Sequence, residues 1–183
     1  MNHKRFIAYQ GTVGMASAMI FPFYILLLKN VGNSYAQFGW AYGLFALTAA
    51  LCYPLIGKAA DRLGDRALLA VYSWGMAATL LFFPLAAEIW HVYVLQIVMG
   101  VLGAVQKNSE KTVLARYVSK DTAGKQIGNY HVWTSAAAAL AVIATGYLAD
   151  FLTIASIFYI ASLAFAWSGV MAMNIGGKTL AKN

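Results

Sequence analysis

The sequence predicts an all-α membrane protein, a bundle of six transmembrane helices forming one domain over residues 1–183, and three observations carry that expectation. First, hydrophobic residues make up 61% of the chain and charged residues 10%, with a positive mean hydropathy. Soluble domains hold apolar residues near one half and charges near one quarter. Second, long apolar runs are separated by short breaks rich in turn residues. A helix needs about 20 residues to cross about 30 Å of hydrocarbon. With short turns, 183 residues make six crossings and leave no room for a soluble domain. Third, the net charge of +7 sorts by side once these runs are threaded through a bilayer.

The spans are read in order as residues 6–28, 35–56, 67–87, 92–117, 126–148 and 153–174. Lys4 and Arg5 ahead of the first run imitate a signal peptide, but no small-residue cleavage-like site interrupts it before Pro22 and five spans follow. It is therefore read as a retained helix. The first break, 29–34, holds Asn30, Gly32 and Asn33, and the third, 88–91, has four residues. Helices joined so tightly are antiparallel neighbours. The longer breaks, 57–66 and 118–125, fall on the opposite side. Pro22, Pro54 and Pro84 lie inside or near the ends of spans, where neighbouring helices can satisfy the freed carbonyl. Tyr35, Tyr53, Trp90, Tyr93, Tyr117 and Tyr147 sit near span ends, where amphipathic rings settle at headgroup level.

Small residues recur on helical faces: Gly11, Gly14 and Ala18 in span one, Gly39 and Gly43 in span two, and Gly100, Gly103 and Ala104 in span four. Small positions let backbones approach in lipid, so spans one, two and four are expected to face one another. Spans three and six are bulkier and suit lipid contact. Cys52 is the lone cysteine and cannot form an intrachain disulfide.

Threaded with the N-terminus inside, Lys4, Arg5, Lys58, Arg62, Arg66, Lys107, Lys111, Arg116, Lys120, Lys125, Lys178 and Lys182 lie at or toward the cytoplasmic side, and Lys29 alone lies outside. Twelve against one is the positive-inside bias of an inserted helical protein. The basic balance therefore reports topology, and no basic patch extends beyond the loops to bind nucleic acid. Enzyme chemistry has no foothold either. His3, His91 and His131 lie on different segments, and no Cys or carboxylate cluster has metal-ligand spacing. A phosphate loop around Gly124-Lys125 would need glycine where Ser119 stands and Ser or Thr where Gln126 stands. No cofactor is expected, and direct use of ATP is disfavoured.

Between the second and third spans the chain reads Gly57-Lys58-Ala59-Ala60-Asp61-Arg62-Leu63-Gly64-Asp65-Arg66. This stretch resembles the signature between the second and third helices of major facilitator superfamily transporters: Gly, three residues, Asp, Arg, one residue, Gly, one residue, Arg or Lys. Gly57, Asp61, Arg62, Gly64 and Arg66 fall on the pattern, and Asp65 stands where a basic residue is common. The segments Gly146-Tyr147-Leu148-Ala149-Asp150 and Ile157-Phe158-Tyr159-Ile160 extend the similarity through the sixth helix of family N-terminal halves. The fold implied is half of a major facilitator bundle. Two motifs depart. Family proton antiporters often carry Arg, two residues, Gln, Gly in the fourth helix, where alignment on Gly100 places Gln96 and Met99. The Gly-Pro signature of drug antiporters in the fifth helix is replaced by Ala144-Thr145-Gly146-Tyr147.

The resemblance implies a secondary transporter of a small solute or amphiphile working by alternating access, in which Asp61, Arg62 and Arg66 form a cytoplasmic latch that favours the outward-open state. A solvated loop obeying the charge rule is the plainer reading of the same residues. The family has twelve spans and this chain supplies six, an even number that returns both termini to one side. Two copies can then sit in the same orientation about an axis along the membrane normal, so the expected partner is a second copy of the chain. A heteromeric half and a non-transporting scaffold that kept the fold are the alternatives. The expected location is a bacterial or archaeal plasma membrane with both termini cytoplasmic.

Candidate cavity or coupling residues follow from polarity at depth. Gln106, Lys107, Asn108, Ser109, Glu110 and Lys111 follow fourteen mostly apolar positions of span four. Ionisable groups there face a cavity or a partner, or snorkel to headgroups. Lys107, Glu110 and Lys111 share a face, so Glu110 can offset Lys107. His131 lies at the depth of Glu110 in span five, either as a proton carrier beside it or as a packed neutral ring. Gln10, Ser17, Tyr24, Tyr42, Gln96, Asn129, Tyr130 and Thr134 are the neutral groups available to line a cavity. Helix rotation decides which of them do.

Overall fold

The computed structural model describes residues 3–32 and 34–175. They form six helices: α1 His3–Val31, α2 Tyr35–Leu63, α3 Asp65–Phe82, α4 Ile89–Tyr117, α5 Ala123–Ala149 and α6 Ile154–Asn174. All six are long and apolar enough to cross a membrane. Lys178 and Lys182, assigned above to the basic side, lie outside the described residues.

Local sequence explains the ends. Ser34 accepts a hydrogen bond from the Gln37 amide to start α2, and Thr153 accepts one from the Ser156 amide to start α6, each relieving an orphan donor of a first turn. Glu88 and His91 form a reciprocal capping box at the start of α4. Before it, α3 stops at Phe82 and gives way to a 3-10 turn, Phe83–Leu85, because Pro84 lacks a donor and disfavours helix in the residue before it. The charged stretch 57–66 is not a loop. Helix α2 continues to Leu63, and Gly64 alone, at φ 80°, makes the turn into α3. That left-handed φ suits glycine, which has no Cβ to clash. Polarity marked where the membrane ends, whereas the backbone hydrogen bonds of a helix continue into water.

Packing places the helices in an arc with the order α5, α1, α6, α3, α4, α2. Helices α1 and α4 meet sparingly across its concave side, and α2 and α5 form its two flanks. Of the most apolar 18-residue stretch of each helix, 56% is buried in α3 but only 11% in α2 and in α5. This corrects the expectation for spans three and six. Each has one lipid-facing side, with Trp74 on α3 and Trp167 on α6 exposed, but each buries the other side, where Tyr72 meets Phe165 edge to face at 5.8 Å. Bulky side chains serve a core as well as a lipid surface, so composition could not separate the two.

The small residues divide as well. A Cβ on Gly100 would lie 2.5 Å from the Phe45 carbonyl oxygen, and one on Gly14 would lie 3.7 Å from that of Thr134. These glycines seat α4 on α2 and α1 on α5. A Cβ on Gly39 or Gly43 would meet nothing within 4 Å, so those positions do not join span two to spans one and four.

Polar groups inside the bundle tie helices together. The Tyr9 hydroxyl donates to the Leu69 carbonyl at 3.1 Å and lies 3.0 Å from Ser73 Oγ, joining α1 to α3. Ser162 Oγ donates to the Ala77 carbonyl at 2.7 Å, joining α6 to α3. Such bonds contribute about 0.6 kcal/mol each on average in a bilayer, and an unmade bond at these depths costs more.

Candidate functional site

A chain of hydrogen bonds crosses the concave side of the arc. Gln106 and Glu110 are one helical turn apart on α4 and share a face. The Tyr130 hydroxyl on α5 donates to Glu110 Oε1 at 2.5 Å. Gln106 Nε2 donates to Glu110 Oε2 at 3.3 Å and to Oε1 of Gln10 on α1 at 3.0 Å. Glu110 thus links α4 directly to α5 and, through Gln106, to α1. Phe6 stacks on the Tyr130 ring at 6.1 Å and closes the end of this arrangement.

Gln10, Gln106, Glu110 and Tyr130 line a cavity of about 380 Å³ together with Ser17, Phe45, Tyr72, Lys107 and Thr134. A second cavity of about 220 Å³ shares Ser17, Phe45, Tyr72 and Gly103 with it and extends past Tyr24, Tyr42, Phe83 and Gln96. Together they form one groove, polar at the Glu110 end and aromatic beyond. A larger hollow of about 550 Å³ lies at the turn between α1 and α2, around Ile25, Lys29, Tyr35 and Ile89. No residue of the Glu110 chain lines it.

Seven of the eight neutral candidates line the groove: Gln10, Ser17, Tyr24, Tyr42, Gln96, Tyr130 and Thr134. Asn129 instead is exposed on α5. Gln96, which stands where the antiporter motif has arginine, is buried in the aromatic part. Lys107 lines the groove without an ion pair to Glu110 within 4.0 Å among the described residues, and Lys111 is exposed. His131 is exposed, and Glu110 takes its α5 partner from Tyr130. Adjacent helical residues point about 100° apart, so equal depth did not bring His131 and Glu110 together.

At the basic end, Asp61 and Arg62 are exposed on the last turn of α2, and Gly57 has open space around it. Arg66 reaches away from them and donates to the Met173 carbonyl at 2.6 Å, while Arg5 donates to the Asn174 carbonyl at 3.0 Å. Both arginines satisfy terminal carbonyls of α6, where positive charge is favoured. Asp65 is buried and pairs with Arg116 of α4 at 2.7 Å. In the sequence Asp65 reads only as a lost positive charge. A carboxylate at the first position of a helix was the signal that it had a structural place.

The family model of the Major Facilitator Superfamily matches residues 7–177. The chain belongs to the major facilitator superfamily. It is 47% identical over 161 residues to the MFS-type transporter YitZ of Bacillus subtilis, covering 88% of this chain and 98% of that one. It is 28% identical over 165 residues to the multidrug resistance protein MdtG of Dickeya zeae, covering 86% of this chain and 40% of that relative. To MdtG of Salmonella arizonae it is 29% identical over 152 residues, covering 80% and 37%. This major facilitator chain therefore matches nearly the whole of one relative and about two fifths of the others. It is an integral membrane protein of a transporter family, with the six-helix bundle of half such a transporter.

Proposed function

We propose that this major facilitator chain is a secondary transporter of a small solute or amphiphile that works as a homodimer by alternating access in a bacterial plasma membrane. The observation that carries the reading is the pair of open flanks: α2 and α5 border the groove on either side and are the least buried helices. A groove walled on one side becomes a closed passage when a second groove faces it. A two-fold axis in front of the concave side sets α2 of one copy against α5 of its partner. Open glycines, Gly39 and Gly43 on α2 and Gly128 and Gly146 on α5, suit the close approach that bilayer interfaces use. The largely aromatic groove and the relatives named for multidrug resistance support an amphiphile as cargo. The end carrying Lys4, Arg5, Lys58, Arg62, Arg66 and Lys125 faces the cytoplasm under the positive-inside rule.

In a Cys52→Ser background, Leu47→Cys on α2 combined with Ala136→Cys on α5 is expected to form an intermolecular disulfide, and native mass spectrometry from nanodiscs is expected to show a dimer. Both positions are exposed in the single chain. Monomer in nanodiscs without crosslinking would sink the homodimer, and failure of proteoliposomes to accumulate amphiphiles under an imposed pH gradient would sink transport.

The exposed Asp61 supports the latch reading, since across the dimer it stands at the level of the partner's α5 N-terminus, where a carboxylate is favoured. Asp61→Asn is expected to shift the accessibility of groove cysteines toward the cytoplasmic face, by roughly threefold to tenfold in labelling rate, for a lost contact of about 1 kcal/mol. Unchanged labelling on both faces would leave Asp61 as a solvated charge.

A further inference from the structure

We propose that the groove recognises an uncharged amphiphile by a strong hydrogen-bond acceptor on its head, which the side-chain amide of Gln10 receives, with the apolar body lying in the aromatic part. This rests on the transport reading in taking that ligand as the cargo.

Glu110 orients the amides around it. A carboxylate only accepts, so the Gln106 amide must turn its NH₂ toward Glu110 Oε2. The second hydrogen of that NH₂ goes to Gln10, which must therefore present its oxygen, as the 3.0 Å bond to Gln10 Oε1 shows. The charge on Glu110 thus fixes the orientation of two successive amides, and the NH₂ of Gln10 is left facing the other way. Gln10 is 4% exposed, and its Nε2 has no hydrogen-bond partner among the described residues. Buried donors are nearly always paired. Gln10 lines the cavity, and no described residue supplies an acceptor for this donor.

The surroundings restrict the acceptor. Both Glu110 oxygens are already taken by neutral donors, and Lys107 lines the same wall, which disfavours a cationic head. The Glu110 charge close by disfavours an anionic one. Beyond Ser17 the groove is lined by Phe21, Tyr42, Phe45 and Phe83, a surface for an apolar body. The cavities of about 380 and 220 Å³ share lining residues, and joined as one groove they are of small-ligand size.

The test uses two probes with one tail: octyldimethylamine N-oxide, uncharged overall at neutral pH with a strong acceptor oxygen, and octyltrimethylammonium, a cation without an acceptor. Binding is measured calorimetrically on the full chain in phosphatidylcholine nanodiscs, below micelle-forming concentrations. The N-oxide is expected to bind saturably and about tenfold more tightly than the ammonium. Gln10→Leu is expected to weaken the N-oxide about tenfold while leaving the ammonium unchanged, and Gln10→Glu, which replaces the donor by a carboxylate, to abolish the preference. The ratio between probes is read on each variant, so a reduced folded fraction does not mimic the result. Equal binding of both probes, N-oxide affinity unchanged in both variants, or no saturable N-oxide binding would overturn the proposal. Because the assay reads binding alone, Gln10-dependent binding without uptake would sink transport and keep this site. Uptake of either probe without Gln10 dependence would do the reverse.

Discussion

Gly100→Leu is expected to prevent α4 from seating on α2 and to yield a protein that is lost to aggregation or melts far below the parent on extraction. Even a single added carbon at Gly100 would lie 2.5 Å from the Phe45 carbonyl oxygen and 2.9 Å from Thr48 Cβ. The first of these is backbone and cannot rotate aside, so the helices must separate by roughly 1 Å to restore an ordinary carbon–oxygen contact. Overpacking of this kind costs about 1–3 kcal/mol for small additions, which makes Gly100→Ala the graded version and Gly100→Leu the extreme. Gly11→Ala, where the new carbon meets nothing, is the control and is expected to leave the melting temperature unchanged or slightly raised, since alanine favours helix over glycine by about 1 kcal/mol. Thermal unfolding in mild detergent checks both. If Gly100→Leu melted like the parent, the close approach of α2 and α4 would be wrong.

The second large effect is expected at Arg116. Its guanidinium is 61% exposed, but the Asp65 carboxylate it contacts at 2.7 Å is only 5% exposed. That contact is to Oδ2, and Asp65 Oδ1 has no hydrogen-bond partner among the described residues. Arg116→Ala therefore strands a charge in a poorly solvated place. Breaking a fully buried pair costs about 3–5 kcal/mol and an exposed one less than about 1 kcal/mol. This half-buried pair falls between them, at about 2 kcal/mol. Asp65→Asn removes the charge without stranding one and is expected to cost less. The double variant Asp65→Asn/Arg116→Ala is then expected to be more stable than Arg116→Ala alone. Denaturant unfolding of the four proteins closes the cycle, and strictly additive losses would show that the pair contributes nothing of its own.

The pairing also changes how the charged stretch is understood. Asp65 ties α3 to α4, and Arg66 ties α3 to the end of α6. Two of its charges thus fasten the buried back of the arc, while Asp61 and Arg62 remain exposed on the flank helix α2. One short sequence serves both the back and a flank of the same bundle because a single turn at Gly64 points the charges before and after it in different directions.

Six spans, their alternation, the tight break at Gly32 and the family were all legible from residues 1–183 alone, because each rests on local quantities: length of apolar run, turn chemistry, charge by side and motif spacing. The single-residue turn at Gly64 was not, because charge makes the helical residues before it read as part of a connection. The neutral groups of the groove were legible as candidates for the same reason, since an amide or hydroxyl deep in an apolar helix needs a partner wherever it points. What the tertiary structure alone decided was rotation and adjacency. It chose Tyr130 over His131 for Glu110, gave Asp65 to Arg116, buried α3 and left α2 and α5 as open flanks. A helix turns about 100° per residue, so direction is set by which neighbours pack against it, and in lipid apolar composition does not distinguish a neighbouring helix from a hydrocarbon tail.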